Sequence, residues 1–375
     1  MITLKKILYI TNIPAPYTVE FFNDLGLSFD LTVVFEGRNS SERDKSWDNF
    51  EAVNFKYLII DDKKSFTNFR MPTGIRKILH ENTYDLYIVG NYSTPTGMYC
   101  ISWFRSHKLP YAIHADGGLI SKDSFIKFHV KKHFLKKASL YFSSGKMTTE
   151  YFVYYGADKS KVFEYPFSSI RLNQIRNNLN NDYYRDKLGL SSNEKIVVSV
   201  GQMIYRKGFD VLINALSQME TKVKVYIIGG NATDELNTLI DELNLDNIEF
   251  IKFLPFETIL DYMAAADLFV LLTREDIWGL VINEAMSMGT PVISTDRCVA
   301  AVEMIENGIN GYVVETENAK SAAEYMDLLI NDDVLRKKIQ NSNIEKAKLY
   351  TIESMTKSYV DIINKFLYTQ EQVNS

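Results

Sequence analysis

Two segments in the second half of the chain put charged side chains where strands give way to helices. The longer reads Leu271-Leu-Thr-Arg-Glu-Asp-Ile-Trp-Gly-Leu-Val-Ile-Asn-Glu-Ala-Met-Ser-Met-Gly-Thr-Pro-Val-Ile. A strand leads through two acids and a Trp-Gly turn into a helix predicted to begin near Leu280. The first amides of that helix, from Gly279, Leu280 and Val281, have no acceptor one turn back, and the helix dipole favours an anion beside them. Gly279 lets backbone and ligand approach closely. This is chemistry for a diphosphate. Glu284 stands one turn into the helix, where a carboxylate accepts hydrogen bonds from hydroxyls such as those of a ribose. Asp276, eight positions earlier and next to Glu275, faces whatever lies ahead of the helix.

The shorter segment reads Ser199-Val-Gly-Gln-Met-Ile-Tyr-Arg-Lys-Gly-Phe-Asp. It too is strand, loop, then helix, with Gly201 and Gln202 on the loop and Arg206 and Lys207 at the helix start. Cations there oppose the helix dipole unless an anion lies between them and the helix. Phosphate fits, with both side chains as donors.

Short apolar runs alternate with amphipathic stretches, the pattern of parallel α/β architecture. Predicted strands are Lys6–Thr11, Leu31–Phe35, Leu86–Val89, Tyr111–His114 and Leu140–Ser143 in the first half. The second half gives Ile196–Val200, Lys224–Ile228, Ile248–Phe250, Leu268–Leu272, Pro291–Ser294 and Gly311–Val314. Apart from Ile248–Phe250, this second set is apolar but for Ser199, Lys224 and Ser294, as strands covered on both faces should be. Phe209, Leu212, Ile213 and Leu216 recur at helical spacing, as do Leu236, Leu239, Ile240 and Leu243. The Asn-rich, aperiodic stretch from Arg171 to Asp186 marks a boundary. The expectation is two doubly wound Rossmann-like α/β domains, residues 1–170 and 171–351, facing a cleft, with ligands beyond the carboxyl ends of their strands. The tail, 352–375, reads as a closing amphipathic helix that packs on the second domain or returns to the first.

A chain of 375 residues, 46% apolar and 24% charged, is a folded protein of about two domains. Its formal net charge of −5 argues against a nucleic-acid partner. Cys100 and Cys298, far apart in apolar surroundings, make no disulfide framework and fit a reducing compartment. The N-terminal apolar run is too short for a signal peptide, and no run approaches the roughly 20 residues that span a bilayer. A cytoplasmic protein is expected, with any membrane contact at its surface.

Together the two segments resemble the donor domain of glycosyltransferase family 4, retaining enzymes with the two-domain GT-B fold. That family's shorter segment usually reads Gly-Arg-Leu, then Lys-Gly. Its longer one carries two acids eight apart around a Phe-Gly-Leu turn, then Glu-Ala-Met and Gly-x-Pro-Val. The match runs on through Glu303-Met-Ile-Glu-Asn-Gly-Ile-Asn-Gly-Tyr-Val-Val and so covers 196 to 314. Two positions depart from it. Gln202 stands where the family has Arg, so that Arg206 beside Lys207 is left to supply the second cation, and Asp276 stands where the family has Glu.

The resemblance implies a sugar moved from a nucleotide-diphosphate donor, UDP being the expected nucleotide, to a saccharide or lipid-linked acceptor in surface polysaccharide or lipopolysaccharide synthesis. Lys207 with Arg206 would neutralise the leaving diphosphate, Asp276 would hold the donor sugar, Glu284 the ribose, and the Gly279–Val281 amides a phosphate. Retention of anomeric configuration is implied by the family alone. No Asp-x-Asp triplet occurs, so no metal-bridged diphosphate and no cofactor is expected, the nucleotide-sugar being a substrate. In the first half, Pro110-Tyr-Ala-Ile-His-Ala-Asp-Gly-Gly sets His114 and Asp116 at a strand's carboxyl end. In related enzymes a His here lies near the reaction centre on the acceptor side. His114 would then bond the donor sugar and Asp116 take the acceptor's proton; a satisfied structural His is the competing reading. Tyr17, after strand one, is a candidate to line the acceptor site.

Ser121 to Ala138 interleaves Lys122, Lys127, Lys131, Lys132, Lys136 and Lys137 with Phe125, Phe128, Val130, Phe134 and Leu135. Such a helix either lies on an anionic membrane, as in relatives that use lipid-linked acceptors, or is a surface helix whose apolar face is core. His129 and His133 are a turn apart, but no third metal ligand is in view. Two rivals remain: a nucleotide-sugar epimerase on the same fold, and a non-catalytic sugar-nucleotide-binding protein. A dinucleotide oxidoreductase is disfavoured because no Gly-x-Gly-x-x-Gly follows a predicted strand.

Overall fold

The computed structural model describes residues 4–37, 50–60 and 73–374. The chain divides into two compact units, Met1–Ser168 with Ile352–Ser375, and Ser169–Thr351.

The first unit holds strands β1 (Lys6–Thr11), β2 (Asp30–Phe35), β3 (Lys56–Ile59), β4 (Leu86–Val89), β5 (Tyr111–Ala115), β6 (Leu140–Ser143) and β7 (Val162–Glu164). With them come helices α1 (Pro16–Leu25), α2 (Thr73–Glu81), α3 (Pro95–Ser106), α4 (Phe125–Leu135) and α5 (Lys146–Tyr154). The strands form one parallel sheet in the order β3-β2-β1-β4-β5-β6-β7. Central strands are buried on both faces, so Leu8, Ile10, Ile88, Val89 and Ile113 have no exposed surface. β3 and β7 sit at the two edges, mostly exposed or half-buried. Their short, unpatterned sequences, Lys-Tyr-Leu-Ile and Val-Phe-Glu, gave no strand signal.

The second unit holds β8 (Ile196–Val200), β9 (Lys224–Ile228), β10 (Ile248–Ile251), β11 (Leu268–Leu271), β12 (Val292–Thr295) and β13 (Gly311–Val314). Its helices are α6 (Asn181–Leu188), α7 (Phe209–Leu216), α8 (Asp234–Glu242), α9 (Phe256–Ala265), α10 (Leu280–Ser287), α11 (Val299–Met304), α12 (Ala319–Asn331) and α13 (Asp333–Ala347). The parallel order is β10-β9-β8-β11-β12-β13, and it reverses between β8 and β11. Chains leaving those two neighbours turn to opposite faces and open a crevice at the carboxyl edge. Both segments singled out above leave the sheet there. Leu212, Ile213, Val225, Ile227, Val270, Ile293, Met326 and Leu329 pack the core of this unit.

The tail forms α14 (Ile352–Asn374); Ser375 lies outside the described residues. It belongs to the first unit, where Met355, Tyr359, Ile363 and Leu367 are buried. Tyr359 meets Phe21 of α1 edge-on at 4.8 Å and stacks on Phe142 of β6 at 4.1 Å.

Candidate functional site

In the second unit the loop after β8 runs from Gly201 into a short 3-10 turn, Tyr205–Lys207, and then into α7 through Gly208. Gly208 has φ +66, and a Cβ there would lie 2.0 Å from the Leu272 carbonyl oxygen, so only glycine lets α7 start against the end of β11. The loop after β11 carries Thr273 to Trp278 and enters α10 through Gly279 at φ +99. A Cβ on Gly279 would meet Cys298 Sγ at 2.6 Å. This second loop is latched to the next one: Asp276 N–H donates to Arg297 O at 2.9 Å, and Ala300 N–H to Trp278 O at 2.8 Å.

The two loops bring their charges together. Lys207 Nζ stands 2.5 Å from Asp276 Oδ2, with both side chains about nine-tenths buried, and Arg206 Nη1 is 3.7 Å from Asp276 Oδ1. The cation that opposes the α7 dipole is thus paired with a carboxylate from the neighbouring loop. Arg206 also donates to the Glu275 carbonyl at 2.7 Å and keeps its side chain partly exposed. Glu275 itself points to Arg297, 3.7 Å away. Gly201 lies under the Lys207 stem, since a Cβ there would touch its methylenes at 3.4 Å. The amides of Gly279, Leu280 and Val281 have no protein acceptor among the described residues. Gln202 sits on the same loop, half-buried.

Glu284 is buried one turn into α10 and accepts a hydrogen bond from Ser169 Oγ at 2.8 Å. Burial raises its carboxyl to about 7, opposed by the Ser169 hydrogen bond and the Lys207 charge. Trp278 is buried and donates to Asn283 Oδ1 at 2.8 Å, which is packing within the turn. Cys298 donates to Trp278 O at 3.3 Å, and burial pushes its thiol up to about 12.

Sequence reasoning passed over Arg274, although it lies inside the segment quoted for its acids. Its guanidinium forks onto Asp210 at 2.7 and 2.8 Å and reaches the Tyr205 carbonyl at 2.7 Å. Ser169 was also missed; a serine outside both segments carries no pattern.

The other predicted residues lie in the first unit. His114 is buried, with Nε2 2.6 Å from Asp116 Oδ1 and Nδ1 hydrogen-bonded to the Tyr359 hydroxyl. With Nε2–H donating to the carboxylate, a neutral ring leaves Nδ1 to accept the Tyr359 proton. Both ring nitrogens are therefore engaged within this unit, whereas the Asp116 side chain is 42% exposed and open to a further partner. The hydroxyl of Tyr165 closes the cluster at 3.4 Å from Asp116 Oδ1. Tyr17, half-buried on α1, packs edge-on against Phe167 at 5.9 Å. On α4, only Leu135 is buried, while Phe125 and Ile126 are 77% and 75% exposed. Leu135 belongs to the core of this unit and Phe128 and Phe134 pack against it, so one apolar face is core, while Phe125, Ile126 and Val130 stand off it. No group of three His, Cys, Asp or Glu side chains among the described residues is arranged to hold a metal, and no helix there is long and apolar enough to cross a membrane.

Residues 180–346 match the family described as Glycosyl transferases group 1. A Campylobacter jejuni protein, N-acetylgalactosamine-N,N'-diacetylbacillosaminyl-diphospho-undecaprenol 4-alpha-N-acetylgalactosaminyltransferase, is 31% identical over 42% of this chain and 43% of its own. A lipopolysaccharide core biosynthesis glycosyltransferase of Rhizobium meliloti, LpsE, is 28% identical over 48% of this chain and 52% of its own. The chain thus spans about half the length of these curated relatives. The crystal structure of Anabaena HepE in complex with UDP superposes with a TM-score of 0.77 over 96% of this chain and 100% of that one, at 19% identity. That likeness shows the fold, two parallel-sheet Rossmann-like α/β domains of the GT-B type.

Proposed function

We propose that this chain is a glycosyltransferase that moves a sugar from a UDP-sugar to a saccharide or lipid-linked saccharide acceptor in surface polysaccharide or lipopolysaccharide synthesis. One observation carries the reading: at the β8/β11 crevice, Lys207 and Arg206 meet Asp276, and Gly279 beside it opens α10 with three amides that have no protein acceptor among the described residues. That cluster lies within the stretch matched by group 1 glycosyl transferases. The relatives named above are transferases, which disfavours the epimerase and the non-catalytic alternatives.

In this reading the bond between the anomeric carbon and the β-phosphate oxygen breaks as the acceptor oxygen bonds that carbon. Negative charge grows on the departing diphosphate. Arg206, the amides of Gly279, Leu280 and Val281, and Lys207 once Asp276 has turned to the donor sugar stabilise it from positions that the two loops hold close by. Asp276 exchanges its Lys207 partner for hydroxyls of the donor sugar, and Glu284 accepts from the ribose. The cations and amides supply the neutralisation, so the reaction is proposed to run without metal. Asp116, held by His114, is the proposed acceptor for the proton of the attacking hydroxyl. Tyr17 is the proposed lining of the acceptor side. Retention of configuration follows from the resemblance to family 4. The division of labour is an acceptor-side domain (1–170 with 352–375) and a donor domain (171–351).

Exposed Phe125, Ile126 and Val130, set among Lys127, Lys132, Lys136 and Lys137, support a peripheral contact of 121–138 with an anionic membrane at the cytoplasmic face.

Calorimetry with UDP, GDP and ADP, in chelator, tests the donor site. UDP is expected to bind without metal, and Lys207→Ala and Glu284→Ala to weaken it. No binding by any nucleotide at millimolar concentration would overturn the reading.

A further inference from the structure

We propose that Arg274 is the positioning residue of the donor site: it locks the turn that carries Arg206 and Lys207 onto the loop that carries Asp276. The proposal rests on the donor-site reading above. An arginine side chain has five N–H donors, and here each has a protein acceptor. Nη1 donates to Tyr205 O at 2.7 Å and Asp210 Oδ1 at 2.8 Å. Nη2 donates to Asp210 Oδ2 at 2.7 Å and Glu317 Oε2 at 3.1 Å, and Nε donates to Glu317 Oε1. Nothing is left for a phosphate, and two carboxylates neutralise the charge. Arg274 is therefore no ligand, although it stands among the ligands in sequence.

What it holds is backbone. Its own N–H donates to Arg206 O at 2.8 Å, where the Thr273 hydroxyl also donates at 2.8 Å. Its side chain takes the preceding carbonyl, that of Tyr205, and lies on the Tyr205 ring with Cζ 3.8 Å from the centroid. One residue thus secures two consecutive carbonyls of the turn and ties them to α7 through Asp210 and to the loop before α12 through Glu317. The 2.5 Å pairing of Lys207 with Asp276 depends on that register. Misplacement of a binding group by about 1 Å costs up to about a hundredfold. Lysine at this position keeps the charge but not the planar fork or the stacking.

The test titrates UDP and uridine against the full chain and four variants: Lys207→Ala, Arg274→Lys, Asp210→Asn, and Arg274→Lys with Lys207→Ala. Uridine lacks the diphosphate and so does not report on Lys207. Arg274→Lys and Asp210→Asn are expected to weaken UDP roughly tenfold or more and to leave uridine within about twofold. On the Lys207→Ala background, Arg274→Lys is expected to cost less than it does alone, what remains being its effect through Arg206, as coupled positions behave. Melting curves identify a variant that fails to fold, and Asp210→Asn is the milder of the two. Equal weakening of both ligands, unchanged UDP affinity, or full additivity with Lys207→Ala each overturns the proposal. If Lys207→Ala itself leaves UDP affinity unchanged, the donor-site reading falls first.

Discussion

The Ser169 hydroxyl donates to Glu284 Oε1 across 2.8 Å, and this hydrogen bond is the carboxylate's anchor in a buried setting. It does not offset the burial: the carboxyl is raised from 4.5 to about 7. The unfolded chain releases this proton near 4.5, the folded chain only near 7. Between those values the folded state binds more protons, so the Glu284 contribution to stability falls as pH rises. A shift of this size corresponds to roughly 3 kcal/mol. Glu284→Gln keeps an acceptor for Ser169 and removes the ionisation. Denaturant melts at pH 5 and pH 8 should therefore show the wild type losing more stability than the variant, by up to that amount. Parallel losses would mean that Glu284 does not titrate in this way.

Asp276 neutralises Lys207 in the free protein, which gives the two residues opposite signatures. Lys207→Ala removes the proposed phosphate cation and is expected to weaken UDP tenfold or more, as loss of a charge-assisted partner does. Asp276→Asn frees the ammonium instead. UDP should bind at least as tightly as to the wild type, while turnover of a UDP-sugar falls at least tenfold because the donor sugar loses its acceptor oxygen. Weaker UDP binding in Asp276→Asn would show that the carboxylate orients Lys207 and does not compete with the ligand.

Much of this site was legible because β8 and β11 are central strands. Their apolar runs, and the helix periodicity after them, fix where each loop begins and ends, and Leu280 is where α10 starts. Edge strands β3 and β7 bury too little to leave a pattern. Arg274 was hidden for a different reason. Its meaning lies in contacts to Asp210 and Glu317, 64 and 43 positions away, and spacing does not encode such partners. His114 was read as either a sugar ligand or a structural residue. Its second nitrogen is taken by Tyr359, 245 positions on, a contact that no local motif announces.

Gly279 combines φ +99 with no room for a side chain, because Cys298 Sγ would lie 2.6 Å from a Cβ. Gly279→Ala is expected to destabilise the protein by about 1–3 kcal/mol and to disturb the α10 amides. Adding Cys298→Ala relieves the contact but not the dihedral strain, so stability should return only in part. Complete recovery of both melting temperature and UDP binding would assign the whole effect to the contact.

Tyr359 reaches His114 from α14, so its hydroxyl is the partner of a buried ring nitrogen. Tyr359→Phe leaves that nitrogen unpaired and should cost about 1–3 kcal/mol in a denaturant melt. Asp116→Asn is expected to leave stability and UDP affinity nearly unchanged while lowering turnover at least tenfold, as loss of a general base does. Turnover at the wild-type rate would remove Asp116 from the proposed chemistry.

On α4, Phe125 and Ile126 project into solvent at 77% and 75% exposure, next to Lys127, whose ammonium is 3.0 Å from Asp123. Two apolar side chains entering the boundary of a bilayer contribute about 1.5–3 kcal/mol each when fully buried. Anionic headgroups add attraction to the surrounding lysines, and salt screens it. Co-sedimentation with phosphatidylglycerol vesicles should therefore exceed that with phosphatidylcholine and decline between 50 mM and 500 mM salt. Replacing Phe125 and Ile126 together with serine should reduce it at least tenfold without shifting the melting curve, since neither side chain packs in the core. If the double variant sediments like the wild type, the exposed face of α4 is not what meets the lipid.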